Sequence, residues 1–377
     1  MFYKNARIFC SDHRFHHGAF EVTPDGRFGQ ILPGQEPEDA YDLEGATVIP
    51  GLVEVHSHGN SGFDFSDGNY EGLKGIAAYY LSCGVTSFAA TSMTLPYDIL
   101  EKAFATARKL VDEDPAGCAK LRGIHMEGPY FSWKKKGAQN GDYLKTPDFE
   151  GFKKLNDSCG GLVKIVDVAP ELPGAVEFIR QASKVCTVGV AHTDSDYEHA
   201  KAAFAAGAAH LTHLYNGMPG INHRNPGVIP AAAECPHVRA EVICDGLHIH
   251  PSAIRLAFAM FGGERMILVS DSGRCAGLPD GTEFELGGQM ATLIDGVAKL
   301  PDGTLACSAT NLWQCMVNAI SFGVREEDAV RACTYNAACT LGIQSEVGSI
   351  STGKVADFVV CSPDYAKKRI FLAGKQI

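Results

Sequence analysis

No apolar run in the chain approaches the roughly 18 residues that a membrane-spanning helix needs, so none is expected. The first residues, MFYKNARIFCSDHRF, lack a continuous apolar core and a cleavage-site pattern, and so read as carrying no signal peptide. Basic charge is also short. The 377 residues hold 33 Lys and Arg against 44 Asp and Glu, a formal net charge of −11. That balance argues against non-specific binding to nucleic acid or to an anionic membrane, while leaving room for a small basic pocket that takes a phosphorylated metabolite. Cysteine is present, but its framework spacing is not. The 13 cysteines are odd in number and nowhere spaced C-x-x-C. Several, such as Cys83, Cys186 and Cys244, sit in apolar runs, where a thiol behaves as a small hydrophobe. A disulfide scaffold is not expected, and the usage reads as cytoplasmic. There is no internal repeat and no low-complexity tract.

What is present is an ordinary globular composition, 45% hydrophobic and 20% charged. The length suits two domains, or one large α/β barrel with an appendage. The first fifty residues read as short strands joined by turns, with Asp25-Gly26 a hairpin signal. The last thirty, through VGSISTGKVADFVVCSP and AKKRIFLAGKQI, read the same way. Between them lie eight candidate strands: GLVEVHSH, VTSFAATS, LRGIHMEG, LVKIVDVAPE, VCTVGVAH, AAHLTHLYN, VRAEVICDG and RMILVSDS. Amphipathic or Ala-rich stretches such as YEGLKGIAAYYLSCG, DILEKAFATARKLVDE, PGAVEFIRQASK and SDYEHAKAAFAAG separate most of them. Alternation of this kind implies parallel strands with crossover helices. The expected fold is therefore α/β. It is a TIM-type (β/α)8 barrel over residues 51–344, with a small β-sandwich domain built from both chain ends, 1–50 together with 345–377. A β-hairpin insertion is expected near 276–306, and an open doubly wound sheet is the alternative architecture.

The C-terminal ends of barrel strands carry the active sites of such folds. Strand one ends in PGLVEVHSHG, with His56 and His58 two apart. In a strand, residues i and i+2 share a face about 6.6 Å apart, and two imidazoles there can reach one ion at about 2.0–2.1 Å. Gly59 is read as the end of that strand. An H-x-H pair by itself is equally two unrelated histidines, so the other strand ends decide. Strand three ends in Glu127, strand five in His192 and strand six in His213. Strand seven ends in Asp245 and His248, and strand eight in Asp271. Imidazoles with a carboxylate suit one or two divalent ions, zinc or iron, and leave one aspartate free as a general base.

The stretches PGLVEVHSHG, GIHMEGPY, VGVAHTD, THLYNGMPGINHRNPG, DGLHIHP, LVSDSGRCAGLPDG and GSISTGKVADFVV, in this order over nearly the whole chain, resemble the N-acetylglucosamine-6-phosphate deacetylases of the amidohydrolase superfamily. H-x-EGP with HLYNxMP separates this branch from relatives that carry a carboxylated lysine on strand four, where this chain has only Lys164 at the strand's start. The resemblance implies metal-dependent removal of the acetyl group from N-acetylglucosamine 6-phosphate. It implies Glu127, His192 and His213 as ligands of a principal metal, with His56 and His58 adding a second. Asp271 would be the catalytic acid/base. Asn216, the backbone at Gly217, Arg224 and His248 would hold the sugar phosphate, with Arg224 reaching across a homodimer interface. Two departures stand out. Gln139 occupies a position where many relatives have a histidine that polarises the amide carbonyl, and it would take the substrate-binding role with a carboxamide that cannot carry a proton. Gly273 stands where relatives have methionine at the acyl pocket.

Arginine's planar fork matches phosphate oxygens, although Arg224 alone reads equally as a solvated loop residue. WKKK at 133–136 reads as a solvated or lid segment, and the two LPDG stretches as turns. Two neighbouring readings stay open: the same chemistry on N-acetylgalactosamine 6-phosphate, and an amidohydrolase without a phosphate requirement. A non-enzymatic scaffold would lack metal-ligating residues, and here none is missing.

Overall fold

The computed structural model describes all residues, 1–377. Its centre is an eight-stranded parallel sheet whose strands follow one another in chain order. These are strand one (Leu52–Glu54), two (Val85–Ser92), three (Lys120–Tyr130), four (Val163–Val168), five (Thr187–Val190), six (His210–Leu211), seven (Arg239–Ile243) and eight (Met266–Val269). Seven of the eight lie inside the stretches read as strands, and strand three overruns its stretch, LRGIHMEG, by one residue before it and two after. They were legible because strands buried on both faces appear as continuous apolar runs; every residue of strands two and eight is buried. Strands one and eight share no ladder. The sheet curls to bring them together beyond their ends, where the Asp271 N–H donates to the His56 carbonyl at 3.0 Å and the His58 N–H to the Ser272 carbonyl at 2.8 Å. The result is a nearly closed TIM-type barrel.

Helices cover the outside. Tyr97–Glu113 shows why they form: Leu100, Ala103, Phe104, Ala107 and Leu110 recur at helical spacing and are all buried, and the helix ends at Asp114, whose φ of 41° is left-handed. Tyr70–Ser82 and Tyr197–Ala206 begin on Asn69 and Asp196, whose side chains accept from backbone N–H groups of the first turn.

Both chain ends enter a second sheet. Phe358–Cys361 pairs antiparallel with Thr47–Pro50, which pairs with Phe2–Phe9. Its inner face is aromatic: Phe358 stacks on Phe371 at 4.3 Å and 8°, with Phe20 and Tyr3 edge-on to Phe358. Each such pair adds about 0.5–1.5 kcal/mol beyond the area it buries. The Asp25-Gly26 turn joins Phe15–Val22 to Phe28–Pro33, with Gly26 at φ 76°.

The insertion is larger than a hairpin. It forms a four-stranded antiparallel sheet, Glu283–Leu286, Gln289–Ile294, Val297–Lys299 and Leu305–Ser308. Ser308 is bridged to Ser272 just after strand eight, which sets this sheet beside the barrel mouth.

Strand one is shorter than expected. Its ladder stops at Glu54, and Gly59–Asn60 continues into a small hairpin with Phe63–Asp64. The reason is the Glu54 side chain, whose carboxylate accepts the His56 N–H at 3.1 Å and the Ser270 N–H at 3.2 Å. His56 and His58 therefore stand on the loop that leaves the strand, and not on the ladder.

Candidate active site

One cavity of about 220 Å³ opens at the C-terminal ends of the strands. His58, Glu127, Gln139, His192, His213, Asn216, Gly217, His248 and Asp271 line it. His56, fully buried, sits behind His58, with ring centroids 5.5 Å apart. Arg224 is absent from the cavity wall. It lies on an exposed loop, its backbone N–H bonded to the Asn222 side chain at 3.0 Å.

Glu127 is the centre. Its Oε1 is 3.1 Å from His192 Nε2 and 3.1 Å from His213 Nε2, and those two nitrogens are 3.1 Å from each other. Its Oε2 is 3.2 Å from His58 Nε2, and Asp271 Oδ1 stands 3.4 Å from that nitrogen and 3.6 Å from His56 Nε2. Two groups capable of holding a metal result, Glu127/His192/His213 and His56/His58/Asp271. A third triad, His56/His125/Glu241, is of another kind. Both His125 nitrogens already face acceptors, the Val55 carbonyl and Asp167, each at 2.9 Å, so no lone pair is left for an ion.

The donor set fits a divalent cation. His192 Nδ1 faces the Lys135 carbonyl at 2.8 Å, and a carbonyl can only accept, so Nδ1 carries the hydrogen. In the neutral ring, Nε2 then points a lone pair at a carboxylate oxygen and at a second imidazole nitrogen. A carboxylate oxygen and two imidazole nitrogens converging within 3.1 Å is an arrangement that a cation holds together, whether a proton shared at that point or a metal ion. His56 Nε2, buried and without a hydrogen-bond partner, is a further lone pair of this kind.

The electrostatics agree. Burial pushes the Glu127 carboxyl up, but the hydrogen bonds from His192, His213 and His58 outweigh it and hold the group well below the usual carboxylate range. Burial acts likewise on Asp271, and the neighbouring His56 and His58 hold it below its ordinary value, so it is ionised. Burial would lower the His213 imidazole; hydrogen bonding to Glu127 reverses this and carries it to about 9. The carboxylates thus favour positive charge at this point, as protons or as a metal ion.

Backbone strain concentrates here. His192, His213 and Asp271 have φ values of 44°, 32° and 45°, a left-handed region that costs side-chain-bearing residues about 1–3 kcal/mol each. Gly217, at φ 61°, packs so close to the His192 ring that a Cβ would meet Nδ1 at 2.9 Å. Gln139 is committed on both sides of its carboxamide: Nε2 donates to Glu127 Oε2 at 2.7 Å, and Oε1 accepts the Thr94 N–H at 2.8 Å. His248 is held by Asp245 at 2.6 Å, which overcomes its burial and raises its imidazole above the ordinary value.

The chain resembles known proteins over most of its length. The family model described as "Amidohydrolase family" matches residues 47–377. The chain belongs to the amidohydrolase family. Within it, the N-acetylglucosamine-6-phosphate deacetylase of Bacillus subtilis (strain 168) is 37% identical over 349 residues, 90% of this chain and 88% of that one. The N-acetylgalactosamine-6-phosphate deacetylase of Escherichia coli O157:H7 is 29% identical over 353 residues, 93% and 92% of the two chains. Among solved structures, a mutant N-acetyl-D-glucosamine-6-phosphate deacetylase from Mycobacterium smegmatis, in complex with N-acetyl-D-glucosamine-6-phosphate, superposes with a TM-score of 0.93 at 29% identity. That match covers 100% of this chain and 98% of the other.

Sequence reasoning missed part of this amidohydrolase site. The Lys135 carbonyl comes from the WKKK segment, read as a solvated or lid segment with no part in holding His192. Thr304–Cys307 follow directly on the second LPDG turn and line the cavity wall with Leu286 and Met93. The buried polar residues beneath the site, Glu54, His125, Asp167, His210 and Glu241, did leave a signal: each is a titratable residue flanked on both sides by apolar ones within a stretch read as a strand.

Proposed function

We propose that the protein hydrolyses N-acetylglucosamine 6-phosphate to glucosamine 6-phosphate and acetate. One observation carries the reading: His58, Glu127, His192 and His213, together with Asp271 and with Asn216, Gly217 and His248, line a single cavity, in a chain that matches deacetylases of this kind over most of its length.

Glu127, His192 and His213 would hold a principal divalent ion, with His56 and His58 adding a second, zinc or iron in either case. When bound, such an ion supplies Lewis acidity, which lowers the pKa of water and polarises a carbonyl oxygen. The chain's own residues do the rest. Asp271, ionised and within reach of the cavity, takes a proton from the attacking water as its oxygen bonds to the carbonyl carbon. It then returns that proton to the amide nitrogen as the C–N bond breaks, so the amine leaves neutral and the acyl group leaves as acetic acid, which gives its remaining proton to the amine or to solvent and becomes acetate. Gln139 has two amide hydrogens; one is bound to Glu127 and the other serves the substrate carbonyl.

Asn216, the backbone at Gly217 and His248 take the sugar phosphate. Arg224, exposed and away from its own cavity, reaches the neighbouring subunit of a homodimer. Holding the remote phosphate fixes the amide against Asp271 and so contributes to kcat as well as to KM. The same reading divides the chain into a small β domain, residues 1–50 with 345–377, and a barrel domain, 51–344. It sets the enzyme in the cytoplasm, where amino-sugar phosphates are degraded.

The test is acetate release from N-acetylglucosamine 6-phosphate, its unphosphorylated parent and N-acetylgalactosamine 6-phosphate, on chelator-treated protein before and after adding back zinc or ferrous iron. Metal-restored turnover that prefers the phosphorylated gluco sugar is expected. Equal turnover of phosphorylated and unphosphorylated sugars would remove the phosphate site. A higher kcat/KM for the galacto sugar would reassign the substrate, and turnover undiminished by metal removal would overturn the metal reading.

A further inference from the structure

Barrels of this type are filled mainly by branched apolar side chains. Beneath this site the filling is polar, and Glu241 is its hub. It lies in the middle of strand seven, 0% exposed. Its Oε1 accepts from His210 Nε2 at 2.7 Å. Its Oε2 accepts from His56 Nδ1 at 2.8 Å and from the His213 backbone N–H at 3.0 Å.

Two consequences follow from the chemistry of an ionised carboxylate, which only accepts. First, the His56 hydrogen must sit on Nδ1. Nε2 is then a lone pair, and this is the nitrogen that has no partner in the protein and faces Asp271 Oδ1 at 3.6 Å and Glu127 Oε1 at 3.7 Å. Second, the backbone of His213, held at the strained φ of 32°, is tied at its N–H. His56 belongs to one candidate metal group and His213 to the other. The same carboxylate therefore orients a ligand of each.

We propose that Glu241 is a positioning residue that sets the tautomer of His56 and the backbone at His213, and so couples the H-x-H pair to the Glu127/His192/His213 group as one unit. The proposal rests on the metal-dependent reading above. Glu241 touches neither substrate nor reacting atoms; it acts through the two histidines.

The test compares wild type, Glu241→Leu and Glu241→Gln. Leu removes the acceptor. Gln keeps an oxygen for His56 and His213, and its amide faces His210, whose Nδ1 has no partner, so that this ring can exchange tautomers. Zinc affinity is measured by chelator competition on the apo protein and stoichiometry by elemental analysis. Circular dichroism checks that each variant is folded, and kcat and KM are separated. Expected is a loss of zinc affinity of about 10–100-fold in Glu241→Leu affecting both sites together, largely restored in Glu241→Gln. If Glu241→Leu does not fold, Glu241→Gln against wild type decides, with affinity within about tenfold expected. Zinc binding unchanged in folded Glu241→Leu, loss at one site only, or an equally large loss in both variants would overturn the positioning role while leaving the metal reading standing. A wild-type protein that binds no zinc and needs none would overturn both.

Discussion

Gly217→Ala tests the architecture of the site at its narrowest point. Gly217 sits at φ 61°, and an added Cβ would lie 2.9 Å from His192 Nδ1 and 3.2 Å from its Cε1. The contact cannot be relieved cheaply. His192 Nδ1 is bonded to the Lys135 carbonyl at 2.8 Å, its ring packs on Phe131 at 4.5 Å, and the Thr193 N–H donates to the Gly217 carbonyl at 3.0 Å. Two costs are expected. The left-handed conformation costs an alanine about 1–2 kcal/mol of stability. A ring shift of a few tenths of an ångström approaches the roughly 0.5 Å within which a catalytic constellation must be held, and a 1 Å misplacement costs about 10²-fold, so kcat/KM should fall by about 10–100-fold. Gly342→Ala is the control. Its φ of 72° is also left-handed, at the end of the helix Tyr335–Leu341, and nothing lies within 4 Å of the added carbon. The assay is acetate release from N-acetylglucosamine 6-phosphate, alongside urea midpoints of all three proteins. Gly217→Ala should lose at least as much stability as Gly342→Ala, since it adds the contact with His192 to the same backbone cost, and only Gly217→Ala should lose activity. Equal activity in the two would refute the argument that the glycine is there to admit the His192 ring.

Asp271→Asn keeps the shape and removes the proton acceptor; kcat should fall about 10²–10⁴-fold with KM little changed, and a fall of less than tenfold would move the proton transfer elsewhere. Arg224→Ala should raise KM for the phosphorylated sugar alone, and mixing it with Asp271→Asn under subunit exchange should regain activity, because the mixed dimer has one site complete in both; no recovery would keep Arg224 within its own subunit. Stability should also respond to His13, whose imidazole is held down to about 4 by burial, with Arg331 and Lys354 adding to the effect. A lowered imidazole is neutral when folded, so the unfolded chain alone gains a proton below about 6.5, and stability is lost as pH falls from there towards 4. His13→Asn, which suits the φ of 61°, should lessen that fall between urea midpoints at pH 7 and pH 5; an identical fall in both proteins would exclude this source.

The eight barrel strands and their order were legible in the sequence because they depend on short-range patterns. A strand buried on both faces must be apolar along its length, and a helix packed on one side must be apolar at every third or fourth residue. Histidines, glutamate and aspartate at the ends of those runs then marked the site, since the end of a parallel barrel strand is where chemistry can be placed. The same local patterns misjudged strand one, because its end is set by the Glu54 side chain, and understated the insertion, whose four strands are short and partly exposed.

Tertiary structure alone decided the rest. That Gln139 braces Glu127, that the carbonyl of Lys135 fixes the tautomer of His192, and that Glu241 serves both His56 and His213 are contacts between residues 12, 57, 185 and 28 positions apart. No periodicity encodes such pairs. They exist because the curled sheet brings strand eight back beside strand one and directs inward side chains from every strand into one volume, where a buried donor or acceptor must find its partner on another strand. The sequence by itself determined which residues could take part; the closure of the barrel determined which atoms face one another.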